Sequence, residues 1–503
     1  MVRPLRESIS ESLKACTREL RSSVYSAERD SVEYEPNQWC FRAVIYTCLS
    51  CMGANLNSSI MISFFPNAMH ERGLDSIQTG ILFSTFYVSN LIVQFLVPKL
   101  SKRLGGIRVM AFGNLFQAIV TASMSFTRYF HNPKHFFIAC CLVRFLQGSM
   151  TAFTESSASR ISMRSVPRNK QGEVISWLES FRVLGAVCGP ILGGAFYSLL
   201  GFSAPFIMSS TLLFSLFFLM VFYPMDARVD DKPDEAEDRV GRREEGGFSS
   251  NCRLFQSQLV HIILISVFFL SAGLSFIEPI FQTMISEFPY DLTPVELGAV
   301  YIICVLFFAT VSVRAGPLLT EYFGSIFTLF SSFFLAGMAY LVIYPPEQFV
   351  GPLSVFAFLH QSKRNGAIAL AQGGMTLLGI SSGLLLSPIN KILVSEGEDI
   401  VGLDMTECSI STSWTLHTVY QMGAAIGPVL SGVMTHLFGL HKTCEVVGFS
   451  LLFLGFVVGI FISGIYVLRK MCNSCCRSSR QRGGGDTISL TSSLLEDDLS
   501  TLL

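Results

Sequence analysis

Long apolar runs constrain this chain more than any other feature of its sequence. A bilayer core about 30 Å thick takes roughly 20 residues of helix per crossing. Runs of that kind fall at 41–65, 79–98, 108–127, 135–157, 174–200, 204–223, 259–285, 296–318, 326–344, 367–389, 409–436 and 446–468. In hydrocarbon each backbone donor and acceptor must be satisfied within the chain, so runs of this length are helices. The sequence therefore predicts an all-α membrane protein with twelve transmembrane helices. The balance of residues agrees: 50% of the 503 are hydrophobic and only 15% charged, against about 25% charged in a soluble domain. The stretch 349–359 is apolar but short and is interrupted from His360 to Arg364, so 345–366 reads as a loop or half-helix.

Charge placement orients the bundle. The second-to-third connection carries Lys99, Lys102, Arg103 and Arg108, and the fourth-to-fifth carries Arg160, Arg164, Arg168 and Lys170. The first-to-second has only Arg72, and the fifth-to-sixth has neither Lys nor Arg. The basic side is expected in the cytosol, with both termini there and Arg469, Lys470 and Arg477 directly after the last crossing. Residues 1–40 hold no apolar run and read as a disordered cytosolic tail rather than a cleavable signal peptide. Residues 225–258, with MDARVDDKPDEAEDRVGRREEGG, read as a charged cytosolic linker between halves at 41–224 and 259–468, and 469–503 reads as a second cytosolic tail. A net charge of −1 gives no sign of a nucleic-acid partner. The 14 cysteines sit mostly inside apolar runs, as at Cys140-Cys141, and behave as small hydrophobes rather than a disulfide framework. Cys472, Cys475 and Cys476 follow the last crossing, where juxtamembrane thiols favour palmitoylation.

The two halves echo each other. Gly185-AVCGPILGGAFYSLLG and Gly423-AAIGPVLSGVMTHLFG share Gly, Ala, Gly, Pro, Leu, Gly, Leu and Gly at the same offsets, 238 positions apart. A weaker echo, 219 positions apart, pairs Leu104-Gly105 with Phe323-Gly324. Two parallel six-helix repeats of this kind are the architecture of the major facilitator superfamily. Within each copy, small residues four apart allow close helix approach, and a proline removes one backbone donor. Gly185, Gly189, Pro190, Gly193 and Gly194, with Gly423, Gly427 and Pro428, are thus expected to build tight seams between crossings. The plainer alternative is packing of a sort found in any helical membrane protein.

Charges inside the apolar runs mark candidate transport residues, because a membrane-buried charge normally faces a cavity or a partner. Arg144 and Gln147-Gly148 lie within the fourth run, with Glu155 three helical turns on. Glu155 is expected either to pair across the bundle or to lie solvated at the rim near Arg160. Glu179 and Arg182, three residues apart, can pair on one helix face. Glu278, followed by Pro279, comes after about 19 mostly apolar residues, and the sequence offers it no local basic partner. It is expected either to carry a proton or to bind a cation, the plainer alternative being a Glu near the luminal end that water can reach. Asn55, Asn57, Tyr87 and Gln94 are polar candidates for a cavity lining, explained equally by helix packing. Asn57-Ser-Ser59 has the glycosylation pattern but lies within a crossing. No metal-ligand spacing and no nucleophile motif appears in the runs, so neither a cofactor nor an enzymatic activity is expected.

The motifs carry a family resemblance. The Gly-Pro run resembles the fifth-helix signature of proton-coupled antiporters of the superfamily, and Arg144-x2-Gln147-Gly148 resembles its fourth-helix motif. Pro98-KLS-Lys102-Arg103-Leu-Gly105 stands where the family has GxLADRxGRR, with Lys102 in place of the Asp. FIEP at 276–279, LESFRVLGAVCGPILGG from 178 and SWTLHTVYQMGAAIGP from 413 resemble the vesicular amine transporter family, its polyamine branch above all. The resemblance spans about 40–470 and implies exchange of small cationic amines for protons into acidic vesicles by a monomer in the bilayer. Glu278, Glu179, Glu155 and Arg144 are then the expected coupling residues. Asp498-x3-Leu502-Leu503 has the form of an acidic dileucine sorting signal, read by adaptor proteins, although Leu494-Leu495 just upstream allows an incidental Leu-rich tail. The alternatives are a transporter of organic anions or drug-like compounds at the plasma membrane, a receptor, or a membrane enzyme.

Overall fold

A computed structural model describes residues 40–166, 171–225, 258–281, 294–343, 368–385, 389 and 405–482. The linker expected at 225–258 and the stretch 345–366 fall almost wholly outside the described residues, as do Asp498, Leu502 and Leu503.

The first half contains α1 (Phe41–Ser59), a short α2 (Phe65–His70), α3 (Ser76–Gln94), α4 (Val97–Leu104), α5 (Gly106–Met124), α6 (Pro133–Arg164), α7 (Gln171–Leu200) and α8 (Ala204–Phe222). The second contains α9 (Gln258–Phe276), α10 (Pro294–Thr310), a π-helical turn (Val311–Ala315), α11 (Gly316–Phe323), α12 (Ser325–Ile343) and α13 (Ile368–Leu385). Met405–Arg482 follows as one hydrogen-bonded run, but Gly439, with φ 77° and ψ 166°, divides it. Its arms are α14 (405–438) and α15 (440–482). All the described elements are helical, and nine apolar stretches among them are long enough to cross a bilayer. The ninth, Thr415–Gly464, is 50 residues long and contains the divide at Gly439, so it supplies two crossings. The tenth crossing, expected at 367–389, forms as Ile368–Leu385. The least apolar crossing is α1, whose Thr47, Ser50, Asn57 and Ser59 are buried inside the half rather than turned to lipid. Phe218, Phe222, Phe453 and Phe461 instead stand exposed on the outer face, as a hydrocarbon solvent permits.

The sequence echo is a structural one. Pro98 opens α4 and Pro317 opens α11, both eight residues long, and each helix ends at a glycine with positive φ, Gly105 at 87° and Gly324 at 83°. A 19-residue crossing follows in each case, α5 or α12. L side chains rarely take that conformation, which accounts for glycine at both stops.

The glycine seams repeat as well. A Cβ at Gly185 would collide with the α1 backbone at Met52, one at Gly189 with Leu56 and Ser59, and one at Gly193 with Ile60. In the second half, Gly423 meets α9 at Phe268 and Ser271, and Gly427 meets it at Ala272 and Ser275. These seams run within each half, α7 on α1 and α14 on α9. The second copy also faces across the molecule, where Pro428 and Gly432 touch the backbone of α3 at Gly80 and Ser76. The halves meet again where α7 packs on α10. One apolar core extends through both, from Leu56 and Phe64 to Phe333 and Val458.

Candidate functional site

The helix α9 ends at Phe276, and a further turn carries the span on through Phe281. Glu278 sits in that turn. Its Oε1 accepts a hydrogen bond of 2.7 Å from the Tyr87 hydroxyl on α3. The partner that the local sequence lacked comes from the other half, 191 positions away. Tyr87 lies edge-on to Phe86, with centroids 5.5 Å apart. Phe86 also neighbours Arg144 on α6, whose guanidinium carbon stands 4.6 Å from the ring centroid and 5.7 Å from that of Phe83. A desolvated cation over aromatic faces is held electrostatically. Arg144 is only 1% exposed. Its Nη1 donates to the Ser58 carbonyl and to Gln147 Oε1, both at 3.4 Å, and its Nε has no hydrogen-bond partner. Among the described residues no carboxylate comes within 4.0 Å of it, yet Glu278 is within its Coulombic reach. An arginine of one half and a carboxylate of the other thus face each other through a phenylalanine and a tyrosine.

Behind Arg144 lies a buried polar core. Gln147 donates to Thr121 at 3.2 Å, and Thr121 donates to Asn57 Oδ1 at 3.0 Å. Ser209 shares that oxygen at 3.3 Å. Gln117 donates to Thr151 and Asn114 to Ser50. Such a network holds α1, α5, α6 and α8 in one register, and it places Asn57 within the half rather than on a cavity wall. Gln94 is likewise buried.

A second charged group is centred on α7. Arg182 Nη1 donates to Glu179 at 2.5 Å, the pair expected from their spacing. The same arginine reaches α6, with Nη2 donating to Ser159 at 2.9 Å and Nε 3.9 Å from Glu155. Glu155 also accepts from Asn55 Nδ2 at 2.7 Å. It is buried, so the solvated-rim alternative does not describe it. Glu179 is the exposed member. The structure therefore brings Glu155, Glu179 and Arg182 together and places Arg144 and Glu278 apart from them.

The second half brings His417 and Tyr420 of α14 near these charges, with Gln421 3.5 Å from His417. Tyr420 lies within Coulombic reach of both Glu278 and Glu179, and His417 within that of Glu179 and Arg182. Gln421 Oε1 is buried without a hydrogen-bond partner. Sequence reasoning singled out none of the three. Their helical spacing on a Gly-Pro crossing was the available signal.

Comparison with known proteins adds a second line. The family model described as Major Facilitator Superfamily matches residues 47–398. The human protein "MFS-type transporter SLC18B1" is 23% identical over 454 residues, covering 87% of this chain and 90% of that one. "Multidrug resistance protein MdtG" of Salmonella typhi is 25% identical over 231 residues, 45% of this chain and 54% of that protein. Among solved structures, the nucleoside transporter NupG aligns with a TM-score of 0.61 at 14% identity, over 83% of this chain and 98% of that one. An inward-facing, unoccupied bacterial homologue of the human lysosomal transporter Spinster aligns at 0.62 and 10% identity, over 85% of this chain and 96% of that one. At these identities the solved structures speak for the fold alone.

Proposed function

The chain belongs to the major facilitator superfamily, and from that premise we propose that this secondary transporter exchanges protons for small organic cations across an acidic vesicle membrane. The observation that carries the reading is Glu278. It is a carboxylate within an apolar span, at the meeting of the two halves, and its hydrogen bond comes from a neutral hydroxyl rather than a cation. Such a group can hold an ammonium ion or a proton, but not both. Open to a neutral compartment, it binds the amine; open to an acidic one, it takes a proton and releases the amine. The two halves rock around the site to expose it to each side in turn. A lumen about two pH units below the cytosol supplies roughly 2.7 kcal/mol per proton, enough for about hundredfold accumulation. The sequence motifs shared with vesicular amine transporters support the cation class. The positively charged connections support cytosolic termini.

The test is uptake into acid-loaded proteoliposomes with a panel of labelled monoamines, diamines, polyamines and organic anions, with and without nigericin. Amine uptake should vanish when the gradient collapses. Glu278→Gln should lower it by roughly tenfold or more, the scale of losing about 1.4 kcal/mol of ionic contact. Glu278→Asp should be partly impaired. Wild-type uptake and pH dependence in the Gln variant would remove Glu278 as the coupling site.

A second reading, export of bulkier drug-like compounds, is favoured by the multidrug-resistance relatives. The same panel extended to drug-like cations separates the two.

A further inference from the structure

The face of α3 that meets the second half is built from positions 76, 80, 84 and 87, which line up along one side of a helix. Each has a described partner across the molecule. The Ser76 backbone abuts Gly432 of α14. Gly80 abuts Pro428 so closely that a Cβ would strike its carbonyl oxygen. The Ser84 hydroxyl donates to the Ala425 carbonyl. Tyr87 donates to Glu278 at 2.7 Å. The first two contacts are small residues packed backbone to backbone and the third is a hydroxyl on a backbone carbonyl, none of them charged. The fourth ends on the carboxylate at which the proposed cation would bind.

We propose that Tyr87 is the occupancy sensor of this seam: its hydrogen bond to Glu278 is the innermost rung of a zipper that α3 makes with the second half, with α14 at the first three rungs and with the turn after α9 at the last, and a cation or proton taken up by Glu278 displaces or weakens that rung so that the halves part at the end carrying Ser76 and Gly432. The inference rests on the reading of Glu278 as the cation site and adds the link from that site to the gate. A hydroxyl bond to a carboxylate is roughly twice as strong as one to a neutral carboxyl group. The ionised, empty site therefore holds the seam shut, whereas the filled site holds it less tightly. Unloaded opening, which would leak protons, is thereby opposed. The other groups facing Glu278 are Arg144 on α6, Tyr340 on α12 and Tyr420 on α14. The Tyr340 hydroxyl is engaged by the Gly273 carbonyl. Arg144 is fixed on Phe86. Tyr87 is thus the neighbour whose bond to Glu278 joins α3 to the second half.

The experiment reads the seam directly. Ser84→Cys is introduced into the full chain in nanodiscs, and its reaction with a hydrophilic maleimide is followed above the background of the same chain without that substitution, each rate being divided by that of a free model thiol at the same pH because maleimide takes the thiolate. In the chain that keeps Tyr87, labelling should be slow at neutral pH and accelerate on acidification. Tyr87→Phe, which removes only the hydroxyl, should raise the neutral-pH rate by roughly tenfold and flatten its pH dependence, on the scale of one charge-assisted hydrogen bond. Glu278→Gln, which keeps an acceptor oxygen but cannot titrate, should give a pH-independent rate between those two. Labelling of Tyr87→Phe at the unsubstituted rate, with the same pH response, overturns the proposal. Its failure is separable from failure of the functional reading. If amine uptake is lost in Glu278→Gln while Tyr87→Phe labels normally, only the sensor role falls. If Glu278→Gln transports normally, the cation site itself falls.

Discussion

Arg182 serves two carboxylates of very different exposure. The Glu179 side chain is 56% exposed and that of Glu155 only 7%. An exposed pair contributes little, because water screens it and the side chains lose freedom in forming it. A buried carboxylate stripped of its cation is another matter, since desolvation is no longer offset. Arg182→Gln should therefore lower stability by about 3 kcal/mol, whereas Glu179→Gln should change it by less than about 1 kcal/mol. Adding Glu155→Gln to Arg182→Gln should recover most of the loss, because the orphaned charge is then gone and Asn55 can still bond to the amide. Thermal unfolding of the purified chain in detergent, followed by size-exclusion, measures all four proteins. Equal melting points for Arg182→Gln and Glu179→Gln would show that Glu155 does not depend on this arginine.

At the scale of elements, the two glycine seams make a matched pair of predictions. Gly189 and Gly427 occupy equivalent places, one against Leu56 and Ser59, the other against Ala272 and Ser275. The obstruction in each case is backbone as well as a hydroxyl, so the neighbour cannot simply swing aside. Alanine at either position should cost about 1–3 kcal/mol by overpacking. Gly464, with open space around it, should accept alanine without effect. Gly189→Leu should still insert, because the crossing stays apolar, but transport per folded molecule should fall sharply. Normal transport by that variant would show that α7 and α1 need not stay in contact. These seams were legible in the sequence, since small residues four apart on an apolar run have few other uses, and the same pattern stands in both halves. The crossings were legible for a similar reason: hydrocarbon leaves the backbone no alternative to the helix. What the sequence could not reveal is which helices face each other. Tyr87 and Glu278 are 191 positions apart, and Asn55 and Glu155 are 100 apart. No local pattern encodes such pairings; they follow from how six helices pack within a half and how the halves then meet.

For the whole molecule, the charges at its two ends decide which side of a membrane each faces, and with it what the C-terminal residues can encounter. One end carries Lys99, Arg103, Arg108, Arg160 and Arg164. At the other, Arg72 donates to the carbonyls of Arg128 and Phe130, which ties the α2 turn to the α5–α6 connection and sets Arg72, Arg128 and Lys134 together there. The first group is larger and lies close to the crossings, where basic residues count most for orientation. The α15 arm runs on toward the first end, with Arg469 and Lys470 beyond the apolar segment, so Asp498, Leu502 and Leu503 are expected in the cytosol. An acidic dileucine sequence there is within reach of sorting adaptors, which would hold the transporter in the acidic vesicles that its proposed exchange requires. Replacing Leu502 and Leu503 with alanine should shift the protein to the plasma membrane, read by surface biotinylation of intact cells. Replacing Leu494 and Leu495 should not, because they lack the acidic residue four positions before the pair. A surface fraction that rises equally in both variants would mean that the tail acts through its general hydrophobicity, and one that changes in neither would remove the sorting signal. The transport prediction survives either result, because proteoliposome uptake does not depend on where the cell delivers the protein.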